Sequence, residues 1–459
     1  MTFGPAFTAA SISQDVTKPI VATAAFEAGT VIFHEEAFVS SSFGNMDMDG
    51  CCDEDCEDDD CDGCAEEEVE EEPETLDEDD LPAVSSAVVD HFDELMAFCE
   101  PTEVLNMVDI RKNLFKCFHL VETNPDALAP LYALNINEDD ASAFKDTAIA
   151  LRAQFPSVVP AAMTDDNVAH VIGVLNKHCH ALEEINGSGL FLYVSKLPHA
   201  CMPNCNITVS GTSMWLTAIK PIAVGEPLTL DILDLFYSPV SDRAETLAED
   251  KMVCTCPYCT GALPDFARAF KCKDTACTGI VHPTKGVFAC TGCGATWSPE
   301  EISEVEMHEV SAVDELGDIE TLAELDGVIA QSPLHKFHYV FYLAIEALSS
   351  VSMDDEELPQ TEAAKIYRRV LECLNYVVPY PHDLKTQHYD HLAQTLIGAG
   401  DINGATEAYE KAYEMSCLCS GKDFEESLLY KSLMENTPTN REEMIAAYGI
   451  EDMESDDEE

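Results

Sequence analysis

The chain has 459 residues, with 87 Asp and Glu against 24 Lys and Arg and a formal net charge of -63. That length allows two to four domains and a sizeable core, and charge of that sign repels phosphate, which argues against direct nucleic-acid binding. No uninterrupted apolar run reaches membrane length, and the opening MTFGPAFTAASISQ lacks the basic residue and long apolar segment of a signal peptide; the expected compartment is nucleus or cytoplasm, with the 20 cysteines serving as thiols and metal ligands more than as disulfides.

Ile20, Val21 and Ala22 precede the turn signal Ala28-Gly29, and Val31, Ile32 and Phe33 follow it. Two short strands ending at Glu35 and Glu36 are predicted. No Lys or Arg stands between Lys18 and Arg111, and in that interval Cys51, Cys52, Cys56, Cys61 and Cys64 crowd among carboxylates. A disordered acidic insert is the expectation, with a metal site as the alternative, because carboxylates suit hard cations and thiolates suit zinc. From Leu81 to about Met163 the pattern is helical. Val84, Val88, Leu95 and Phe98 share one face, Val104, Val108, Leu114, Phe115 and Phe118 another, and Pro101 and Pro125 are the breaks. Another helix begins near Asp165.

The stretch from Gly187 to Cys259 organises the rest. Asn206–Val209 and Met214–Ala218, separated by Ser210-Gly211, read as a hairpin. Cys254, Cys256 and Cys259 put three thiols within six residues, too tight for mutual disulfides of good geometry and well suited to one tetrahedral metal ion; Cys201 is the candidate fourth ligand. Downstream, Cys272, Cys277, Cys290 and Cys293 form two close pairs with a glycine shortly after each, a zinc-ribbon pattern. Structural zinc there would stabilise a segment with too few apolar residues for its own core. From about Glu301 the chain is helical again: Phe337, Phe341, Ile345 and Leu348 form one face, and Ala364, Tyr367 and Leu371 another. Leu392, Gly400, Ala405, Tyr409 and Ala412 fall where one tetratricopeptide unit places them.

The central stretch resembles the SET domain of protein-lysine methyltransferases, and more closely the SET and MYND branch. The family motif Asn-His-Ser-Cys-x-Pro-Asn is matched by Pro198, His199, Ala200, Cys201, Met202, Pro203 and Asn204. Gly187, Gly189, Leu190 and Ser195 align before it, and Gly225, Glu226, Leu228, Thr229, Asp234, Leu235 and Arg243 after it. The resemblance implies S-adenosylmethionine and Zn2+ as cofactors and a protein substrate or partner, with the acidity suiting basic, histone-like tails. It places His199, Ala200 and, after a two-residue gap, Asn176 at the cofactor. Cys51–Cys64 stand where the branch carries its MYND finger, without that finger's later half.

Departures from the family are equally legible. Pro198 replaces the motif's asparagine, Ile232 and Asp250 stand where two tyrosines are usual, and Gln14–Lys18 lacks the glycine-rich approach. Tyr237 is therefore the candidate catalytic phenol, with Tyr193 or Tyr258 as substitutes. The expected fold is α+β: a SET part at 1–45, an acidic cysteine-rich insert at 46–82, a helical insert at 83–164 and the SET core at 165–238. Zinc segments follow at 239–300, then a helical domain resembling tetratricopeptide repeats at 301–437 and an acidic tail at 438–459. Two functions compete: a divergent protein-lysine methyltransferase, and an inactive SET-fold scaffold that binds protein.

Overall fold

The computed structural model describes residues 12, 20–43, 83–136, 142–316, 319–352 and 358–449. The acidic insert with Cys51–Cys64, the segment Gln14–Lys18 and the last ten residues lie outside them.

The described strands form three small antiparallel sheets. In the first, β1 (Thr30–Glu36) pairs with β6 (Ser213–Ala218), which pairs with β5 (Cys205–Ser210). The β5–β6 register, Cys205 opposite Ala218 through Ser210 opposite Ser213, is the predicted hairpin. Its alternating Met214 and Leu216 turn inward beside Phe33 and Ile32, as the period of two requires. In the second sheet, β4 (Gly187–Leu190) lies between β2 (Val39–Ser42) and β3 (Cys179–Leu182). The strand expected at Ile20–Ala22 does not form. Its backbone pairs with the loop at 225–228 instead, through Ala22 N to Glu226 O at 2.9 Å and Leu228 N to Ile20 O at 3.0 Å, so a bridge replaces a hairpin with β1.

The helical insert comprises α1 (Ser86–Asp90), α2 (Phe92–Cys99), α3 (Val108–Thr123) and α4 (Lys145–Gln154). It packs with α5 (Asp165–His178) around Leu114, Phe115, Phe118, Val171 and Ile172. Thr164 and Asn167 close a capping box that starts α5. Cys99 and Cys117 are buried in this core, where burial pushes their thiols up, Cys99 to about 12. They are packing residues, as small hydrophobes often are.

After the first two sheets come α6 (Val240–Glu249) and a ribbon of β7 (Phe270–Lys271), β8 (Ile280–Thr284) and β9 (Val287–Cys290). Eight helices complete the described chain. They are α7 (Pro299–Glu315), α8 (Leu322–Gln331), α9 (Tyr339–Val351), α10 (Gln360–Val377), α11 (Asp383–Gly398), α12 (Ile402–Cys419), α13 (Glu425–Glu435) and α14 (Arg441–Tyr448). Leu392, Ala405, Tyr409 and Ala412 are buried between α11 and α12, and Gly400 turns the connection with φ +79°. Within the acidic tail expected from 438, residues 441–448 form α14, which Tyr448 anchors. Its phenol donates to Asp390 Oδ1 and lies 3.1 Å from Tyr409 Oη.

The ribbon is wedged between the sheets and these helices. Phe270 packs on Phe288, Trp297 and His338, and Arg268 donates to Glu309, which also meets His338 Nε2 at 3.0 Å. A buried charge cluster of this kind holds one arrangement, since an unpaired member would be costly.

Candidate functional site

Two threads of chain lie side by side next to the first thiol group. Residues 198–200 run parallel to Leu230, with Ala200 N donating to Leu230 O at 2.7 Å and Leu230 N to Pro198 O at 3.2 Å. Asn204 fixes this pairing. Its Nδ2 donates to Pro227 O (2.8 Å) and Glu226 Oε1 (3.1 Å), and its Oδ1 accepts from Thr229 N (2.8 Å). One amide side chain thus satisfies three groups of a strand that lacks a full ladder.

Cys201 follows this pairing and meets the thiols of Cys254, Cys256 and Cys259, all four sulfurs lying within 4.8 Å of one another. Cys201 Sγ is 3.8 Å from Cys254 Sγ and 3.7 Å from Cys259 Sγ. Four thiolates around zinc with Zn–S near 2.3 Å stand about 3.8 Å apart, whereas a disulfide needs about 2.05 Å. The donor set fits zinc. Hydrogen bonding from Cys201 and the other neighbouring thiols drives Cys254 far down, while Cys201 is pushed up. Cys272, Cys277, Cys290 and Cys293 form the second such group, with Sγ–Sγ distances of 3.6 Å and 3.7 Å for Cys272–Cys293 and Cys277–Cys290. Gly279 N and Gly292 N point at Cys277 Sγ and Cys290 Sγ, at 3.3 Å and 3.4 Å. A Cβ on Gly279 would sit 2.6 Å from Cys290 Sγ, so the knuckle needs glycine there.

His199 is buried, and its ring is occupied. Nδ1 accepts from Ile232 N at 3.2 Å, which leaves Nε2 as the protonated nitrogen, 3.2 Å from Cys201 Sγ. The resemblance implies His199 at the cofactor, and its ring here is a brace between the metal group and the Ile232 turn. Ala200 is buried with its amide consumed by Leu230. Asn176 is exposed near the end of α5. Tyr237 requires a correction. Its ring stacks on Tyr342 at 3.8 Å and its phenol donates to Phe337 O at 3.1 Å, and burial raises its pKa well above normal. A phenol so enclosed reaches no open surface and packs the sheets against α9. Tyr258 is likewise buried, under Arg243 at 5.1 Å. Tyr193 is half-buried.

Three positioning residues escaped the sequence reading. Asp231 Oδ1 caps the turn at Leu235 N (3.2 Å) and lies 3.5 Å from His199 Nδ1; burial raises its carboxyl to about 6 against the opposing pull of the Leu235 amide and His199. Glu35, on β1, accepts from Tyr193 N at 3.0 Å and Val194 N at 3.2 Å. Burial nonetheless lifts it to about 7, the amides and Lys196 pulling the other way. Tyr380, from the connection between α10 and α11, donates to Cys201 O at 2.9 Å. No local pattern marks these three, because their partners lie 158 and 179 residues away for Glu35 and Tyr380 and the Asp231 contact depends on the pairing of 198–200 with Leu230.

Pro198, Ile232 and Val253 are exposed.

Residues 18–232, just under half of the chain, match the family model of the SET domain. Among curated proteins, Histone-lysine N-methyltransferase SMYD3 of Homo sapiens is 35% identical over 81 residues, 18% of this chain and 19% of that protein. A SET and MYND domain-containing protein of Dictyostelium discoideum is 30% identical over 91 residues, 18% of this chain and 23% of its own. N-lysine methyltransferase SMYD2 of Gallus gallus is 33% identical over 102 residues, 21% of this chain and 23% of the relative. The matched region thus spans about a fifth of each relative's length.

Proposed function

We propose that this chain, which carries a SET domain at residues 18–232, is a divergent S-adenosylmethionine-dependent protein-lysine methyltransferase with two structural zinc ions. The observation that carries the reading is the parallel pairing of 198–200 with Leu230, with Cys201 drawn into a four-thiol group. S-adenosylmethionine, when bound, supplies the electrophilic methyl group. This chain's part is positioning and exclusion of water. Main-chain groups near Cys201 would hold the cofactor. The zinc group, braced by His199 and Tyr380, would keep that main chain rigid. Tyr193, whose amide meets Glu35 and whose ring lies 5.8 Å from Lys196 Nζ, would replace the missing phenol. Basic, histone-like tails are the substrate class suited to a chain of charge -63. The carboxyl-terminal helices, tetratricopeptide-like at α11 and α12, would form a wall for such a partner.

A second reading is favoured by one observation: the phenol of Tyr237 is spent on Phe337, with Ile232 and Asp250 at the other positions. In that reading the fold is retained as a protein-binding scaffold. Calorimetric titration of the zinc-loaded protein with S-adenosylmethionine separates the two. Micromolar binding together with transfer of labelled methyl to a lysine-rich tail supports the enzyme, and transfer should fall at least tenfold in Tyr193→Phe. Absence of cofactor binding sinks the enzyme and leaves the scaffold.

A further inference from the structure

A cavity of about 510 Å3 opens between α2 and α4, in the helical insert and away from both thiol groups. One wall presents Glu94, Ala97 and Phe98, the other Asp146, Ala150 and Gln154. Each set falls at i, i+3/i+4 and beyond, so each wall is a single helical face. Ala97 and Ala150 are small and exposed, which keeps the slot wide. Phe98 gives it an apolar floor, held edge-on against Phe155 at 5.7 Å.

Two facing helical walls with small residues between them accept a third helix. The electrostatics select which one. Glu94, which meets His91 Nδ1 at 2.7 Å, and Asp146 stand at the rims, with exposed Asp93, Glu100 and Glu103 beyond the first wall. The neighbouring cations Lys145 and Arg152 are engaged by Asp166 (2.7 Å) and Asp165 (2.5 Å). This chain's own acidic segments and a second copy of charge -63 would both be repelled from such a slot. We propose that the groove between α2 and α4 docks a cationic amphipathic helix of a partner protein, with apolar residues at i, i+3/i+4 and i+7 facing inward and Lys or Arg along both flanks. The site is separate from the methyl-transfer centre and stands whether or not that reading holds.

The test uses the full zinc-loaded chain and a labelled synthetic helix of about 14 residues, roughly 20 Å, with Leu and Ala on one face and Lys on the flanks. A scrambled peptide of equal composition is the control, and fluorescence anisotropy is read at about 0.15 M salt. The patterned helix is expected to bind at least about tenfold tighter than the scrambled one. Ala97→Trp with Ala150→Trp, which fills the slot, and Glu94→Lys with Asp146→Lys, which inverts the rims, should each remove that advantage. Equal binding of the two peptides would show attraction to bulk acidity alone and overturn the proposal. So would undiminished preference in the filled slot. If the tryptophan pair unfolds the insert by circular dichroism, the rim pair, confined to exposed side chains, decides.

Discussion

At the residue scale, His199 and Glu35 show how buried polar groups set the site. His199 has filled both ring nitrogens, with Ile232 N on one side and Cys201 Sγ on the other. Partners behind metal ligands commonly govern affinity by about 10- to 100-fold. His199→Ala is therefore expected to weaken zinc at the first thiol group by about that factor and leave the ribbon group untouched, as measured by competition with a chromogenic chelator. Glu35 is shifted upward by burial, whereas paired carboxylates are usually shifted down. Its folded value of about 7 lies above the ordinary 4.5, so the folded state holds the proton more tightly. Its stabilising share is complete below about pH 4.5 and is lost as pH rises through 7, a change on the order of 3 kcal/mol. Thermal melts of Glu35→Gln from pH 5 to 8 should lose much of that slope. An unchanged slope would mean another group carries it.

At the element scale, the ribbon and the turn after residue 28 are the informative pieces. Strands β7 to β9 are only two to five residues long, and the second thiol group ties them together. Cys290→Ser is expected to lower zinc content from two ions per chain to one by elemental analysis and to expose Trp297, visible as a red shift in fluorescence. Retention of two ions would rule out this ligand set. The turn at Gly29 carries φ +78°, and a Cβ there would lie 2.8 Å from Cys417 O on α12. Gly29→Ala should cost about 1–3 kcal/mol in denaturant unfolding, since it strains the turn and displaces backbone that cannot yield.

At the scale of the whole molecule, the carboxyl-terminal helices are part of the site. They meet the first sheet through Asn206 Nδ2 donating to Asp383 Oδ2 (2.7 Å), Thr208 Oγ1 to Ser420 Oγ (3.0 Å), and Trp215 edge-on to Phe424 (5.7 Å). Tyr380 then reaches from those helices to the backbone of a metal ligand. Tyr380→Phe leaves the Cys201 carbonyl with one partner fewer, an expected loss of about 1 kcal/mol together with faster zinc release from the first group. Zinc loss under strong chelation should come in two steps. The ribbon group, with Cys293 exposed, should release first; simultaneous release would mean that the two groups open as one unit.

The sequence by itself determined what local chemistry dictates. The C-x-C-x2-C and paired ribbon cysteines announced two thiol groups, because ligand spacing is short-range. Alternating apolar residues announced β5 and β6, and helical spacing at Phe337 to Leu348 and Ala364 to Leu371 announced α9 and α10. Even the losses at Pro198, Ile232 and Asp250 were readable, since each is a residue type at a motif position. Only the tertiary structure decided where side chains were spent. Tyr237 could not be told from a catalytic phenol until Phe337 and Tyr342, about 100 residues on, closed over it. The segment at Ile20 had a strand's composition, yet its partner proved to be the loop at 225–228, because backbone pairing follows proximity and not propensity. The same holds for Glu35, Asp231 and Tyr380, whose roles exist only where distant threads meet.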